Sequence, residues 1–209
     1  PRAIRDVYKR QVEGSLECVC MIDETTFVSG GDSGSLSLWS TAKKKPIFTL
    51  PLAHGLDEME SATEGIIRTP RWVTSLASLR YSNIFASGGC LLSNVAKRAP
   101  NSAAGSYDGS IRIWQLDAKL KSFSLAGTIP APGIINSLQL LSPPNEFVKH
   151  ASWINHDASN PPRSSANNNH SLLVVASLAK EHRFGRWIQQ KEAKNTASVF
   201  YFSSRTPSS

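Results

Sequence analysis

One sequence pattern occurs twice in the chain and limits what the chain can fold into. Residues 26–40 read TFVSGGDSGSLSLWS, and residues 103–115 read AAGSYDGSIRIWQ. Each copy has a run of small residues, a tight glycine-containing turn and an alternating segment that ends in tryptophan. In the first copy the alternation places Leu36 and Leu38 on one face of a strand, and Gly34 suits the positive φ of a hairpin turn. The repeat therefore predicts two β-hairpins built alike.

Further strand patterns surround these two hairpins. They occur at residues 16–22, 46–51, 73–79, 84–87 and 123–128. A third, degenerate copy of the unit runs through residues 134–141, 172–177, 185–189 and 198–202. Four short strands per unit, with tryptophan near the end of the third, are typical of one blade of a WD-repeat β-propeller. The structural tryptophans would be Trp39, Trp114 and Trp187. We expect an all-β fold.

The spacing of the units is longer than that of ordinary blades. The three tryptophans are 75 and 73 residues apart, against ~40–45 residues for a usual blade. The excess lies in polar insertions at residues 56–71, 90–102 and 143–170, expected as loops because loops absorb length at modest entropic cost. A ring needs ~4–8 blades, so residues 12–202 are expected to form about three C-terminal blades of a roughly seven-bladed ring.

Both ends of the chain differ from the blade sequence. Residues 1–11 carry +3 of the chain's formal charge of +7. Their segment DVYKRQ resembles a translated sequencing adapter, which predicts that residues 1–11 are an adapter scar and not native sequence. A native basic terminus is the alternative. Residues 203–209 are polar and are predicted to form a flexible tail. Three cysteines are too few for a disulfide framework, which favours a reduced protein.

Two segments carry a more specific resemblance. Residues 29–55 read SGGDSGSLSLWSTAKKKPIFTLPLAHG. Residues 181–187 read EHRFGRW, followed by KEAKN at residues 191–195. Both resemble the WD-repeat protein family of the U3 small nucleolar ribonucleoprotein, over roughly residues 15–202. Phe184 replaces the leucine usual in that family, and the insertion at residues 143–170 is not one of its hallmarks.

The resemblance implies a non-enzymatic scaffold without a cofactor. Such proteins bind U3 snoRNA in the nucleolus, at its box B/C element and beside a small kink-turn-binding protein. They act with other processome proteins in 18S rRNA processing, and neither a membrane nor a small-molecule substrate is involved. A WD-repeat adaptor that binds only proteins is the alternative function.

Two basic segments are the RNA-binding candidates. Lys43, Lys44 and Lys45 are expected on a loop, where they either contact phosphate or form a plain solvated turn. Residues 180–194 have a net charge of +3, and their arginines suit bidentate phosphate contacts or stacking on bases. The candidates in this second segment are Arg183, Arg186, Lys191 and Lys194. A position of both segments on one face of the propeller would favour RNA binding.

Other polar residues are expected to order the blades. In WD repeats an aspartate of the turn bonds toward a histidine of the preceding loop, which implies this structural role for Asp32 and Asp108. His54 would fill the histidine position of the second blade, together with Asp108 and Trp114. A half-satisfied buried network of this kind is costly. Trp187 either belongs to the blade core or stacks on a base.

A protease-like tetrapeptide, GDSG at residues 31–34, points to a different function. In chymotrypsin-like enzymes the catalytic histidine precedes the serine in the chain, whereas the first histidine here is His54, after Ser33. The same turn recurs in the second repeat, so it is interpreted as a structural element. The histidines at residues 150, 156 and 170 lack a tight metal-binding spacing. We therefore expect no catalytic residue and no metal site.

Overall fold

A computed structural model describes residues 14–61, 65–80, 82–90, 109–144, 147, 151, 171–183, 185–191 and 193–203. These residues form fifteen strands, arranged mainly in three antiparallel sheets. The all-β prediction is therefore confirmed. Among the described residues, no helix has the length and apolar character needed to cross a membrane. The predicted scar at residues 1–11 and most of the insertions at residues 90–102 and 143–170 lie outside the described residues.

The first sheet is a four-stranded meander. Its strands are β1 (Leu16–Met21), β2 (Thr26–Gly31), β3 (Leu36–Ser40) and β4 (Phe48–Leu50). Gly34 in the turn between β2 and β3 has a φ of 68°, a conformation that a side chain disfavours. This sheet is the blade that the first sequence repeat predicts.

The insertion at residues 56–71 differs from the loop that its polar sequence suggests. It forms a hairpin of β5 (Leu56–Ser61) and β6 (Gly65–Pro70). Gly65 has a φ of 74° where the chain reverses, and the β-branched pair Ile66 and Ile67 follows directly, which favours strand. Glu58 and Arg68 face each other across the hairpin and form a 2.9 Å ion pair.

The second sheet repeats the meander of the first. It consists of β7 (Trp72–Ser78), β8 (Ile84–Cys90), β9 (Ser110–Leu116) and β10 (Phe123–Pro130). Its strands pair in sequence order, as those of the first sheet do. The second sequence repeat thus corresponds to a second complete blade.

The third sheet departs from the predicted arrangement. It contains β11 (Ile134–Leu141), β12 (Ser171–Ala179) and, after a separate hairpin of β13 (Glu181–His182) and β14 (Gly185–Gln189), β15 (Thr196–Ser203). The prediction that residues 185–189 form the third strand of this blade is wrong, because β12 pairs with β15 along its length. Phe200 and Phe202 of β15 pack on the buried core, which stabilises this choice of partner.

Two apolar layers join the sheets. Leu38 of the first sheet and Phe85 of the second lie in one buried cluster. Ile113 of the second sheet and Val174 of the third lie in the other. Full burial of side chains of this size stabilises a fold by about 1.5–3 kcal/mol each. Each sheet thus packs face to face on the next, as successive propeller blades do.

Candidate nucleic-acid interface

The strand directions define two ends of the packed sheets. One end, here called the hairpin end, holds the β2–β3 turn, residues 51–55 and the two extra hairpins. The opposite lysine end holds the β1–β2 and β3–β4 connections, where the amide of Thr41 donates to the carbonyl of Thr25 at 2.7 Å. At this lysine end the Ser78 hydroxyl donates to the Met21 carbonyl at 2.6 Å. This contact shows that the ends of the first and second sheets coincide.

Lys43, Lys44 and Lys45 lie at the lysine end. All three are exposed, in the turn between β3 and β4, and the Lys43 amide donates to the Ser40 carbonyl at 3.0 Å. Arg183 lies at the opposite end, directly after β13. The structure therefore does not bring the two predicted basic segments together on one face.

The second basic segment follows β12 at the hairpin end. Arg183 is exposed, and its guanidinium donates to the Asn136 carbonyl at 3.0 Å and to the Glu17 carbonyl at 2.9 Å. It thus connects the third sheet with the first strand of the first sheet. Lys191 and Lys194 are also exposed, in the connection between β14 and β15. Three of the four predicted cations of this segment therefore lie at one end of the fold.

For Arg186 and Trp187 the structure describes the backbone only. Both belong to β14, which pairs with β13 and not with β12 or β15 in the described part of the chain. The strand that carries Trp187 is thus not the blade strand that carries Trp39 or Trp114 in the other sheets. The expected place of the Trp187 side chain in the blade network lies outside what the structure describes and stays a prediction.

His54 lies in a buried network of the second blade. Its Nε2 is 2.8 Å from the Ser87 hydroxyl, which also accepts a 2.7 Å bond from the Trp114 indole nitrogen. His54 is 1% exposed, and a Cβ at Gly89 would lie 2.6 Å from its Nδ1. Because residue 89 is glycine, the His54 imidazole has room to pack against the strand. Asp108, the predicted fourth member, lies outside the described residues.

The corresponding place in the first blade has the same tryptophan–serine bond. The Trp39 indole nitrogen donates to the Ser29 hydroxyl at 2.8 Å, as Trp114 does to its serine. Asp32 accepts a 2.7 Å bond from the Ser15 amide. Asp32 therefore holds the beginning of β1 against the β2–β3 turn, which is an ordering role within the blade.

Two arginines that the sequence did not single out hold the loop carrying His54. Arg71 donates to Asp57 at 2.6 Å and to the His54 carbonyl at 3.2 Å. Arg112 donates to the Ala53 carbonyl at 2.6 Å. Burial, then the charges of Arg112 and Arg71, lower the pKa of His54 to about 3, and burial and Arg71 also lower the pKa of Arg112. These arginines hold the loop at residues 51–55, and they add to the burial that keeps His54 neutral at physiological pH.

A sequence signal for one of these arginines exists. Arg112 stands two residues before Trp114 on β9, so both side chains lie on the same face of the strand. A long cation beside a buried tryptophan on one strand face indicates a guanidinium bonded inside the fold, because burying it unpaired would be costly. Arg71 offered no such signal, since its partner Asp57 lies on the far side of a hairpin that the sequence did not predict.

Comparison with known proteins gives consistent matches. An uncharacterized WD repeat-containing protein of Schizosaccharomyces pombe is 35% identical over 202 residues, which are 90% of this chain and 31% of that protein. Ribosomal RNA-processing protein 9 of Saccharomyces cerevisiae is 33% identical, over 84% of this chain and 27% of the relative. U3 small nucleolar RNA-interacting protein 2 of Homo sapiens is 28% identical, over 90% and 29%. The chain thus spans about a third of the length of these relatives. No protein-family model matches it.

Two solved structures share the fold. A crystal structure of the RRP9 WD40 repeats aligns with a TM-score of 0.60 and 27% identity, over 90% of this chain and 42% of that one. The structure of U3-55K aligns with a TM-score of 0.61 and 27% identity, over 93% and 43%. The chain is a homologue of the U3-associated WD-repeat proteins. Its three sheets are therefore WD-repeat propeller blades, as the repeat predicted.

The GDSG turn and the two described cysteines have contacts within the fold. The GDSG turn holds strand connections, because Asp32 accepts from Ser15 and the Ser33 hydroxyl accepts from the Ser35 amide at 3.4 Å. The described part of the chain contains no group of three or more metal-binding side chains. Burial raises the pKa of both Cys18 and Cys20 to about 12, so these thiols are protonated at neutral pH.

Proposed function

We propose that the protein acts in ribosomal RNA processing as a non-enzymatic scaffold that binds U3 snoRNA in the nucleolus. The observation that carries this proposal is the likeness to U3-55K, at 27% identity over 93% of the chain. A protein named for its interaction with U3 small nucleolar RNA is a relative over 90% of the chain. The finer proposal is contact with the box B/C element, beside a kink-turn-binding protein and other processome proteins.

The hairpin end supports this proposal by its charges. Arg183, Lys191 and Lys194 are exposed there, and the segment of residues 180–194 has a net charge of +3. Clustered cations neutralise phosphates and release counterions, which supplies most of the affinity of non-specific RNA contacts. Bonds from the Lys180 amide to Asn195 at 2.9 Å and from the Gln190 amide to the Lys180 carbonyl at 2.8 Å close the segment into a compact loop.

We assign the U3 contact to the hairpin end and not to Lys43, Lys44 and Lys45. Strand β7 has seven residues, which corresponds to about 20 Å between the two ends. This separation exceeds the Debye length of ~8 Å at physiological ionic strength, so the lysine end adds little to the field at the hairpin end. In this proposal the three lysines lie on a solvated turn and do not contact the U3 element.

A mobility-shift assay with the full-length protein tests the proposal. The box B/C stem of U3 is compared with an unrelated stem of equal length, at low and at physiological salt. We expect tighter binding of the U3 stem at both salt concentrations. Absence of a shift at low salt would contradict U3 snoRNA binding and would favour the alternative, a WD-repeat adaptor that binds only proteins. Equal affinity for both stems would contradict U3 recognition while leaving non-specific RNA binding.

A charge-reversal pair then locates the contact. Lys191→Glu/Lys194→Glu and Lys43→Glu/Lys45→Glu change the net charge by the same amount, at opposite ends of the fold. The first variant is expected to weaken U3 binding at least tenfold, because two phosphate contacts become repulsive. The second is expected to bind like the wild type. The reverse ranking would move the site to the lysine end.

A further inference from the structure

The β13–β14 hairpin has little pairing of its own. Strand β13 contains two residues, and the pairing with β14 is irregular between Glu181 and His182. Among the described side chains, Gln189 donates across the hairpin to the Glu181 carboxylate at 3.1 Å. A two-stranded hairpin is marginal in water by itself. The orientation of this hairpin therefore depends on contacts with the rest of the fold.

Asn136 supplies two of these contacts from a β-bulge. In the pairing of β11 with β12, the register shifts between Ile135 and Ser137, so Asn136 is the extra residue that the ladder leaves over. Its amide nitrogen donates to the Glu181 carbonyl at 3.0 Å, and its amide oxygen accepts from the Arg183 amide at 3.0 Å. A bulge changes the direction in which its side chain points. Here the Asn136 side chain both donates to and accepts from the hairpin backbone, as the backbone of a neighbouring strand would.

Arg183 completes the attachment from the hairpin side. Its Nη1 donates to the backbone carbonyl of Asn136 at 3.0 Å, and its Nη2 donates to the carbonyl of Glu17 on β1 at 2.9 Å. His182, the residue before Arg183, is 4% exposed. Its ring packs edge to face against the ring of Trp72, with 6.0 Å between the ring centroids. One planar guanidinium thus ties Arg183, which follows β13 in the turn of the hairpin, to two sheets at once.

We infer that Asn136 and Arg183 form a latch that fixes the β13–β14 hairpin on the blades. Arg183 is a positioning residue in this arrangement: its guanidinium holds backbone carbonyls, and the lysines that follow the hairpin meet the phosphates. The part of this inference that concerns RNA rests on the proposed U3 binding. The latch itself is a property of the protein without RNA.

Hydrogen exchange on the free full-length protein tests the latch directly. Asn136→Ala removes both side-chain bonds, and loss of about 1–2 kcal/mol corresponds to roughly 5- to 30-fold faster exchange of the hairpin amides at residues 181–189. The thermal midpoint of the whole protein is expected to stay within about 2 °C. Gln139→Ala, at an exposed position of the same strand, is the control and is expected to leave hairpin exchange unchanged. Unaltered hairpin exchange in Asn136→Ala would overturn the latch.

Arg183 is tested by two substitutions and by salt dependence. Arg183→Gln and Arg183→Lys both lose the guanidinium, and both are expected to weaken U3 binding about three- to tenfold with an unchanged slope of log affinity against log salt. A direct phosphate contact would instead reduce the slope by about 0.7–0.9 in Arg183→Gln and spare Arg183→Lys. That result would overturn the positioning role. If the wild type binds no U3 stem, the proposed function fails, and the hydrogen-exchange result still decides the latch.

Discussion

The hairpin end and the lysine end of the sheets both carry cations, but they hold them differently. At the hairpin end, Arg71, Arg112 and Arg183 each donate to backbone carbonyls at 2.6–3.2 Å. At the lysine end, Lys43 and Lys45 are exposed on a turn that backbone bonds close. The first end is built from guanidinium groups bonded into the fold, and the second presents charge on a solvated turn.

This difference matters for recognition because ordering a long side chain on binding costs about 0.5–1.5 kcal/mol. Arginines that already hold the loops and the β13–β14 hairpin fix the backbone from which Lys191 and Lys194 project. Fewer degrees of freedom are then lost when RNA binds. A turn of consecutive lysines offers charge without this pre-organisation, which suits non-specific attraction. The comparison predicts that changes at the hairpin end affect stability and binding, whereas changes at the lysine end affect neither strongly.

The largest effect is expected from His54→Ala. The substitution opens a cavity at a 1% exposed position and removes one of the two partners of the Ser87 hydroxyl. The free energy of unfolding of the full-length protein should fall by about 3 kcal/mol, measured by denaturant titration. A loss below about 0.5 kcal/mol, the size of an ordinary surface change, would show that the hairpin end does not depend on this network.

Arg71→Gln is expected to cost nearly as much. The side chain of Asp57 is 2% exposed and that of Arg71 is 18% exposed, so the substitution leaves a buried carboxylate without its cation. We expect a loss of about 2–3 kcal/mol, again by denaturant unfolding. Arg68→Gln on the same hairpin is the matched control, because that ion pair is 64% and 58% exposed and contributes about 0–1 kcal/mol. Equal losses in the two variants would contradict a buried role for Arg71.

The buried imidazole also predicts a pH dependence. The pKa of His54 is about 3 in the fold, against an ordinary 6.5, so the unfolded chain takes up the proton first as the pH falls. The stabilisation is complete above pH 6.5 and is lost between pH 6.5 and pH 3. Between pH 7 and pH 5 the wild type should lose about 2 kcal/mol more than His54→Gln, which lacks the titrating group. Parallel pH curves for the two proteins would exclude a neutral buried His54.

The smallest effect is expected at the lysine end. Lys43→Glu/Lys45→Glu changes exposed side chains on a turn, where surface substitutions usually stay within about 0.5 kcal/mol. The unfolding midpoint should therefore match that of the wild type. A large destabilisation would mean that the lysine end is built into the fold in the same way as the hairpin end, and the comparison would fail.

The sequence predicted the blades where local pattern and pairing agree. The recurring tryptophan and glycine positions predict two complete meanders, and the histidine that ends the first unit shares the Ser87 hydroxyl with Trp114 of the second. The strand at residues 185–189 has the right local pattern but a different partner, because β12 pairs with β15. Asn136 could not be singled out, since a bulge depends on the register between strands that are distant in sequence. Pairing and register are long-range properties, and a single sequence shows only local ones.

The measurement that tests the central claim most directly is the salt dependence of U3 stem binding by the full-length protein and its two charge-reversal variants. If the hairpin end carries the contact, Lys191→Glu/Lys194→Glu lowers the affinity at least tenfold and reduces the slope by about 0.7–0.9 for each lost phosphate contact. Lys43→Glu/Lys45→Glu keeps both the affinity and the slope of the wild type. A reduced slope in the second variant together with a wild-type slope in the first would contradict the account.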